Sequence, residues 1–279
     1  CVRQARRKFY GDSPAGIELG GYPDELSAVT PEALKAEYDR ILRQSRIDVM
    51  VQGTDAERVA EKLLRRLDGV QRDPQEPGTL VAMPRTPLRR YTETLPGLTQ
   101  AKLCMLFTTG SADNVPTVSA LRVAMNLLGG ASTSRLFMNV REKQSLCYYC
   151  GAAAHRATGA MMIDSGVEPG KVMQAEAAML AEWEGLKKGP ITQEEMDDCR
   201  SGLLSGMDAL EDSLSALEGW YYGQILRGEP LYPPAYGKVL TSAVTIDEVR
   251  RVLEQYSYSV GYVVTARPGT EGKGTPDEE

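Results

Sequence analysis

One histidine, His155, stands among 279 residues. That excludes a metal site built on paired histidines, and no carboxylate or cysteine set at ligand spacing surrounds the AAAHRATG stretch that holds it. His155 reads as a surface or loop residue, and no metal ligands are predicted in this chain. No apolar run approaches the roughly 20 residues of a membrane-spanning helix, so no membrane span is expected. No signal-peptide pattern follows Cys1. The five cysteines (Cys1, Cys104, Cys147, Cys150 and Cys199) are odd in number and follow no regular framework. That excludes a disulfide scaffold and fits a reducing compartment, so a cytoplasmic location is expected. A formal net charge of −6 argues against nucleic acid as a partner.

What is present is an ordinary globular balance, 42% hydrophobic and 25% charged, in a length sufficient for roughly two domains. Residues 1–67 open with a basic helical stretch whose Arg3, Arg6, Arg7 and Lys8 read as a solvated face. A Gly/Pro turn and a helix with Thr30 at its N-cap and Pro31 at its first position follow. Ile47–Val51 reads as a buried strand, and Gly53-Thr54-Asp55 caps a helix carrying Val59, Leu63 and Leu64. The Pro- and charge-rich stretch 68–78 is the expected linker.

Residues 79–267 mix strands with long helices, which implies an α+β layer architecture. Residues 87–95 (PLRRYTETL) read as an edge strand, and Ala101–Gly110 as a central one. A helix starts at Pro116 and stops at Gly129, and another covers 132–143. Strands are expected near 146–153 and 158–166. A long helical stretch from Thr192 carries Glu195 at the capping-box position. Residues 268–279 form a polar tail.

The densest segment runs from Gly129 to Tyr149, GGASTSRLFMNVREKQSLCYY. A helix end feeding a strand can aim Arg141 and Tyr148 at one spot. One offers a planar cationic fork and the other a phenol donor, suited to a peptide carbonyl or a developing oxyanion. Alone, Arg141 reads as a partner of Glu142 or a helix-end charge, and Tyr148 as a strand tyrosine. Gly129 and Gly130 read first as a helix stop, and Arg135 first as a packing residue. Within the segment, Cys147 and Cys150 form a C-x-x-C pair read as structural, since positions three apart on a strand face opposite sides.

This segment resembles the second-domain signature of the insulinase/pitrilysin/mitochondrial-processing-peptidase family. The matching residues are Gly129, Gly130, Ser134, Arg135, Leu136, Phe137, Val140, Arg141, Glu142, Lys143, Leu146 and Tyr148. Ala15–Leu42 and the following IDVMVQG resemble the close of that family's first domain. The resemblance implies a mainly antiparallel sheet covered by helices, with one complete domain preceded by the C-terminal half of a similar one. Residues 1–67 would then lack their sheet partners, and the start at Cys1 is read as an opening in the middle of a domain. The family's zinc motif, H-x-x-E-H, has no counterpart here, as in bacterial members that resemble partner subunits.

By that resemblance, Arg141 and Tyr148 contact the scissile peptide, and Gly129, Gly130, Ser134 and Arg135 bind substrate. Zinc is expected in a partner chain or in residues upstream of Cys1. The expected partners are a peptide or protein substrate and a zinc-bearing family member in a homo- or heterodimer. The leading expectation is a substrate-holding, non-zinc part of a metallopeptidase. One alternative is the C-terminal piece of a complete zinc peptidase. The others are an inert scaffold subunit and a redox protein using Cys147 and Cys150.

Overall fold

The computed structural model describes residues 1–76, 78, 81–111 and 117–266. Pro116, Pro77, residues 79–80 and 267, and the expected tail 268–279 lie outside them. Five strands are described: β1 (Arg89–Leu95), β2 (Ala101–Thr108), β3 (Cys147–His155), β4 (Ala160–Val167) and β5 (Ser257–Ala266). Nine α-helices are found among the described residues. They are α1 (Val2–Tyr10), α2 (Pro31–Gln44), α3 (Ala56–Asp68), α4 (Val118–Met125), α5 (Val172–Lys188), α6 (Gln193–Asp208), α7 (Leu214–Leu226), α8 (Pro234–Ser242) and α9 (Ile246–Glu254).

The chain divides into two compact units, one of residues 1–17, 81–209 and 232 onward, the other of 18–80 and 210–231. This differs from the expected parts 1–67 and 79–267 in two places. Residues 1–17 join the sheet-bearing unit because the apolar face of α1 packs on the sheet. Residues 210–231 leave it after α6 ends.

The first unit holds one sheet in the order β1-β5-β2-β4-β3. Only β1 and β5 run parallel; the other neighbours are antiparallel. The fold is therefore α+β, and β1 is an edge strand while β2 is central, as its sequence predicts. On one face, Leu103, Met105 and Phe107 of β2 and Met161 and Ile163 of β4 are buried in one core with residues of α4, α5, α6 and α9. On the other face, Cys104, Leu106, Val260, Tyr262 and Val264 share a core with Ala5, Phe9 and Tyr10 of α1. Each large apolar side chain buried this way contributes about 1.5–3 kcal/mol. Cover on both faces explains why β2 reads as a nearly continuous apolar run.

The second unit has no strand among its described residues. Ile47–Val51 is half-buried irregular chain rather than the predicted strand. An apolar run becomes a strand only beside a neighbour to complete its ladder, and this unit supplies none. The α2 cap is as predicted, with Thr30 Oγ1 accepting from Ala33 N at 3.2 Å. Asp55 precedes α3 without capping it and pairs instead with Arg58 at 2.6 Å.

Two expected helices in the signature region take a wider form. α4 runs on into a π-helical turn, Asn126–Gly130, and the helix expected over 132–143 is π-helical from Leu136 to Lys143. π-Helical segments are rare and concentrate at functional sites. The long helical stretch expected from Thr192 is two helices, broken between Asp208 and Leu214.

Candidate functional site

The π-helical turn Leu136–Lys143 ends at a tight reversal. Ser145 takes a left-handed φ of 50°, uncommon outside glycine. Its N–H donates to the Arg141 carbonyl at 3.1 Å, and Leu146 N donates to Val140 O at 3.1 Å. The chain then enters β3, an outer strand of the sheet.

β3 is irregular at its start. Cys147 pairs with Val167 and Tyr149 with Gly166, so Tyr148 is the extra residue of a β-bulge. A bulge re-aims a side chain that regular pleating would send elsewhere. Tyr148 is 59% exposed and lines an open cleft of about 440 Å³ with Arg141, Glu142, Ser145, Leu146, Cys147 and Glu168. Tyr149 is the structural one of the two tyrosines. A Cβ on Gly166 would lie 2.6 Å from its ring, and Lys102 Nζ stands 4.7 Å from its ring centroid. Burial, with Asp164 beside it, pushes the Tyr149 phenol up.

Arg141 is held on three sides. Its Nε donates to the Tyr148 main-chain carbonyl at 2.9 Å, its guanidinium lies 4.5 Å from the Phe137 ring centroid, and Nη1 stands 3.3 Å from Glu142. The predicted pair therefore meets on one cleft, through a hydrogen bond to the tyrosine's backbone. Across the cleft, Glu168 pairs with Lys171 at 2.7 Å, which raises the Lys171 ammonium. The wall thus carries two acids and a clamped cation beside a phenol.

The other candidate residues build the frame around this cleft. A Cβ on Gly129 would lie 2.6 Å from Ala152 N and 2.9 Å from Ala152 Cβ, so glycine lets the π-helical turn approach β3. Gly130 is less confined, with its nearest obstacle, Met125 O, at 3.2 Å. Ser134 is buried, and its hydroxyl has no partner among the described residues. Arg135 makes a two-pronged pair with Glu195, Nε to Oε1 at 2.6 Å and Nη2 to Oε2 at 3.0 Å. It also donates to Pro190 O at 2.6 Å, which ties it to the loop before α6.

The expectation that Cys147 and Cys150 face opposite sides is overturned. The bulge shifts the alternation by one, and both thiols pack on the helix side of the sheet. Cys147 is lowered to about 7, first by the neighbouring Cys150 thiol, with Ser165 and Arg141 adding to it against the effect of burial; the Cys150 S–H itself donates to Leu136 O at 3.2 Å and the Ser165 hydroxyl to Tyr149 O at 2.7 Å. Sequence reasoning missed Cys147, Ser145 and Glu168 as cleft residues. The bulge and the left-handed Ser145 that bring them there have no residue-type signal.

No group of three or more His, Cys, Asp or Glu among the described residues could hold a metal ion. The residues present do not fit a zinc site. His155, at the end of β3, instead places Nδ1 3.0 Å from Thr158 Oγ1, and burial lowers its ring below the usual histidine value. Among the described residues, no helix is long and apolar enough to cross a membrane.

The family model for the peptidase M16 inactive domain matches residues 28–203, more than half of the 279-residue chain. The chain is similar to a probable inactive metalloprotease, YmfF, of Bacillus subtilis, 23% identical over 224 residues. That match covers 76% of this chain and 50% of YmfF, so the chain spans about half the length of that relative. In structure it resembles a conserved protein from Enterococcus faecalis, with a TM-score of 0.85 and 23% identity, covering 97% of this chain and 64% of that one. It also resembles a peptidase M16 inactive domain from Pseudomonas fluorescens, with a TM-score of 0.72 and 18% identity, covering 97% and 66%. The signature from Gly129 to Tyr148, the sheet-and-helix fold and the matched span agree: the chain belongs to the family of peptidase M16 inactive domains.

Proposed function

We propose that this chain is the substrate-holding, non-zinc part of an insulinase-like metallopeptidase, working in the cytoplasm. The observation that carries the reading is the meeting of Arg141 and Tyr148 on one open cleft beside the outer strand β3. A strand at the end of a sheet can accept an extended peptide as an added strand. The peptide's carbonyls would then pass the cleft wall, where the Arg141 fork and the Tyr148 hydroxyl are donors. These residues bind and orient the scissile peptide. Hydrolysis belongs to a zinc site supplied elsewhere, and no step through zinc is assigned to residues of this chain. Gly129 and Arg135 hold the cleft in shape from behind.

Arg141 restrains Tyr148 through its backbone, so the two act as one unit, and charge-assisted donors of this kind are about twice as strong as neutral ones. The test is peptide turnover by the complex of this protein with a zinc-bearing family member. Arg141→Ala should lower kcat/KM by about 10-fold to 100-fold, a loss of roughly 1.4–2.7 kcal/mol of binding to the reacting peptide. Tyr148→Phe should lower it less. Unchanged turnover in Arg141→Ala overturns the proposal. It would favour the second reading, an inert scaffold subunit, in which the bonds from Arg141 to Tyr148 O and Glu142 serve only to fix the turn.

A further inference from the structure

The two walls of the cleft come from different elements. Arg141 and Glu142 stand on the π-helical segment Leu136–Lys143, and Glu168 stands just before α5. Their spacing therefore depends on how the π-helical segment sits against α5. A hydrogen bond crosses between the two: Asn139 Nδ2 donates to Glu182 Oε2 at 2.9 Å. The same amide is held from its other side, where Lys143 Nζ donates to Asn139 Oδ1 at 2.9 Å. Asn139 and Glu182 are half-buried, and Lys143 is exposed.

The chemistry of the position calls for a carboxamide, which carries a donor and an acceptor on one planar group. With its oxygen toward a cation and its nitrogen toward an anion, Asn139 makes a charge-assisted bond at each end. An aspartate would keep Lys143 but set a second carboxylate against Glu182. A leucine would leave the half-buried Glu182 one partner short. The place of Asn139 matters as much. π-Helical segments are rare and mostly single turns, so a run of eight residues needs support from outside itself. Its start is tied through Arg135 to Glu195 and Pro190, and its end is closed by the bond from Ser145 N to Arg141 O. Asn139 secures the middle, two residues before Arg141.

We infer that Asn139 is a positioning residue: its bond to Glu182 sets the π-helical segment against α5 and so fixes the Arg141 wall of the cleft relative to the Glu168 wall. Asn139 itself stands outside the cleft lining and acts through Arg141. The bond from Arg141 Nε to the Tyr148 carbonyl requires the guanidinium to leave the segment in one direction. Without the brace the segment is free to tighten toward the α form, which turns Arg141 about the segment axis and breaks that bond. A contact misplaced by about 1 Å can slow a reaction on the order of 100-fold. The consequence for turnover rests on the proposed substrate-holding function; the consequence for Arg141 does not.

The test follows the Arg141 Nε–Hε signal by heteronuclear NMR of the purified chain, assigned by its loss in Arg141→Lys. Alongside it, kcat and KM are measured for a quenched fluorogenic peptide cleaved by the complex with a zinc-bearing family member. Asn139→Asp should shift the signal and speed its exchange with water at least about 10-fold. It should also lower kcat/KM by about 5-fold to 20-fold, mostly through kcat. Adding Glu182→Gln to Asn139→Asp lets the glutamine amide donate to the new carboxylate, so both readouts should return to within about 2-fold of the unaltered chain. Glu182→Ala removes the same bond from the α5 side and reports on it if Asn139→Asp does not fold. An Arg141 signal that stays in place in these single variants, or that moves and is not restored in the double variant, overturns the inference. The bond would then serve only to stabilise the surface of α5. If the signal moves and is restored while turnover stays constant throughout, the brace stands and the substrate-holding reading falls.

Discussion

Gly129 and Gly130 are adjacent in sequence but differ in what confines them. A Cβ at Gly129 would lie 2.6 Å from the backbone nitrogen of Ala152, and a strand backbone cannot step aside as a flexible side chain can. At Gly130 the nearest atom is Met125 O at 3.2 Å, which a small shift relieves. Gly129→Ala is therefore expected to destabilise the first unit by about 2–3 kcal/mol, the usual cost of overpacking a closed contact. Gly130→Ala should cost less than about 1 kcal/mol, since the gain in helix propensity offsets part of the strain. Urea unfolding of the two variants measures the difference, and equal losses would mean that the approach of the π-helical turn to β3 is not the constraint. Both glycines are visible in the sequence as a helix stop. Which of them is indispensable depends on Ala152, 23 positions downstream of Gly129 and brought there by the sheet.

At the scale of elements, what was legible followed local chemistry. The Thr192/Glu195 capping box, the Thr30 cap and the central position of β2 could all be read from neighbouring residues. Features set by tertiary pairing could not. The Tyr148 bulge exists because β3 and β4 take that register, and the π-helical turns widen a period that the apolar spacing still reads as 3.6. Ile47–Val51 has strand composition without a strand to pair with, and α8 goes unread in the sequence although Pro234 suits its first helical position. Glu195 shows how one side chain joins these levels. It accepts from Thr192 N at 2.8 Å within its cap and also pairs with Arg135 at the start of the π-helical turn. Its carboxyl is held below the usual carboxylate range, first by the hydrogen bond from Arg135. A depressed folded pKa adds stability above the unfolded value near 4.3, and that stability is lost as pH falls through the folded value. Arg135→Ala should therefore cost about 2 kcal/mol at pH 7, and the gap to the unaltered chain should close below about pH 4. Thermal unfolding across pH 3–7 tests this. A gap independent of pH would assign the loss to packing of the arginine stem.

For the whole molecule, burial is distributed very unevenly. The first unit covers both faces of its sheet. In the second, Gln224 alone is buried among the described residues, and neither α2 nor α3 buries a side chain. Yet those helices are amphipathic by pattern. Leu34, Tyr38 and Ile41 recur at helical spacing on α2, as do Val59, Leu63 and Leu64 on α3, and all six are exposed. We propose that residues 1–67, of which 18–67 lie in this unit, are the C-terminal part of a preceding peptidase-like domain, and that the apolar faces of α2 and α3 are meant for sheet partners outside them. Helices of 14 and 13 residues without a buried face are marginal in water. Local opening there needs no loss of a core, whereas opening β2, β4 or β5 requires unfolding the first unit. Native-state hydrogen exchange of the isolated chain should therefore show α2 and α3 amides exchanging at least about 100-fold faster than those of the three inner strands, a difference of roughly 3 kcal/mol in opening free energy. Addition of a partner that completes the domain should slow α2 and α3 and leave the inner strands unchanged. Equal protection across both units in the isolated chain would show that the second unit is stable without such a partner, and the half-domain reading would then be abandoned.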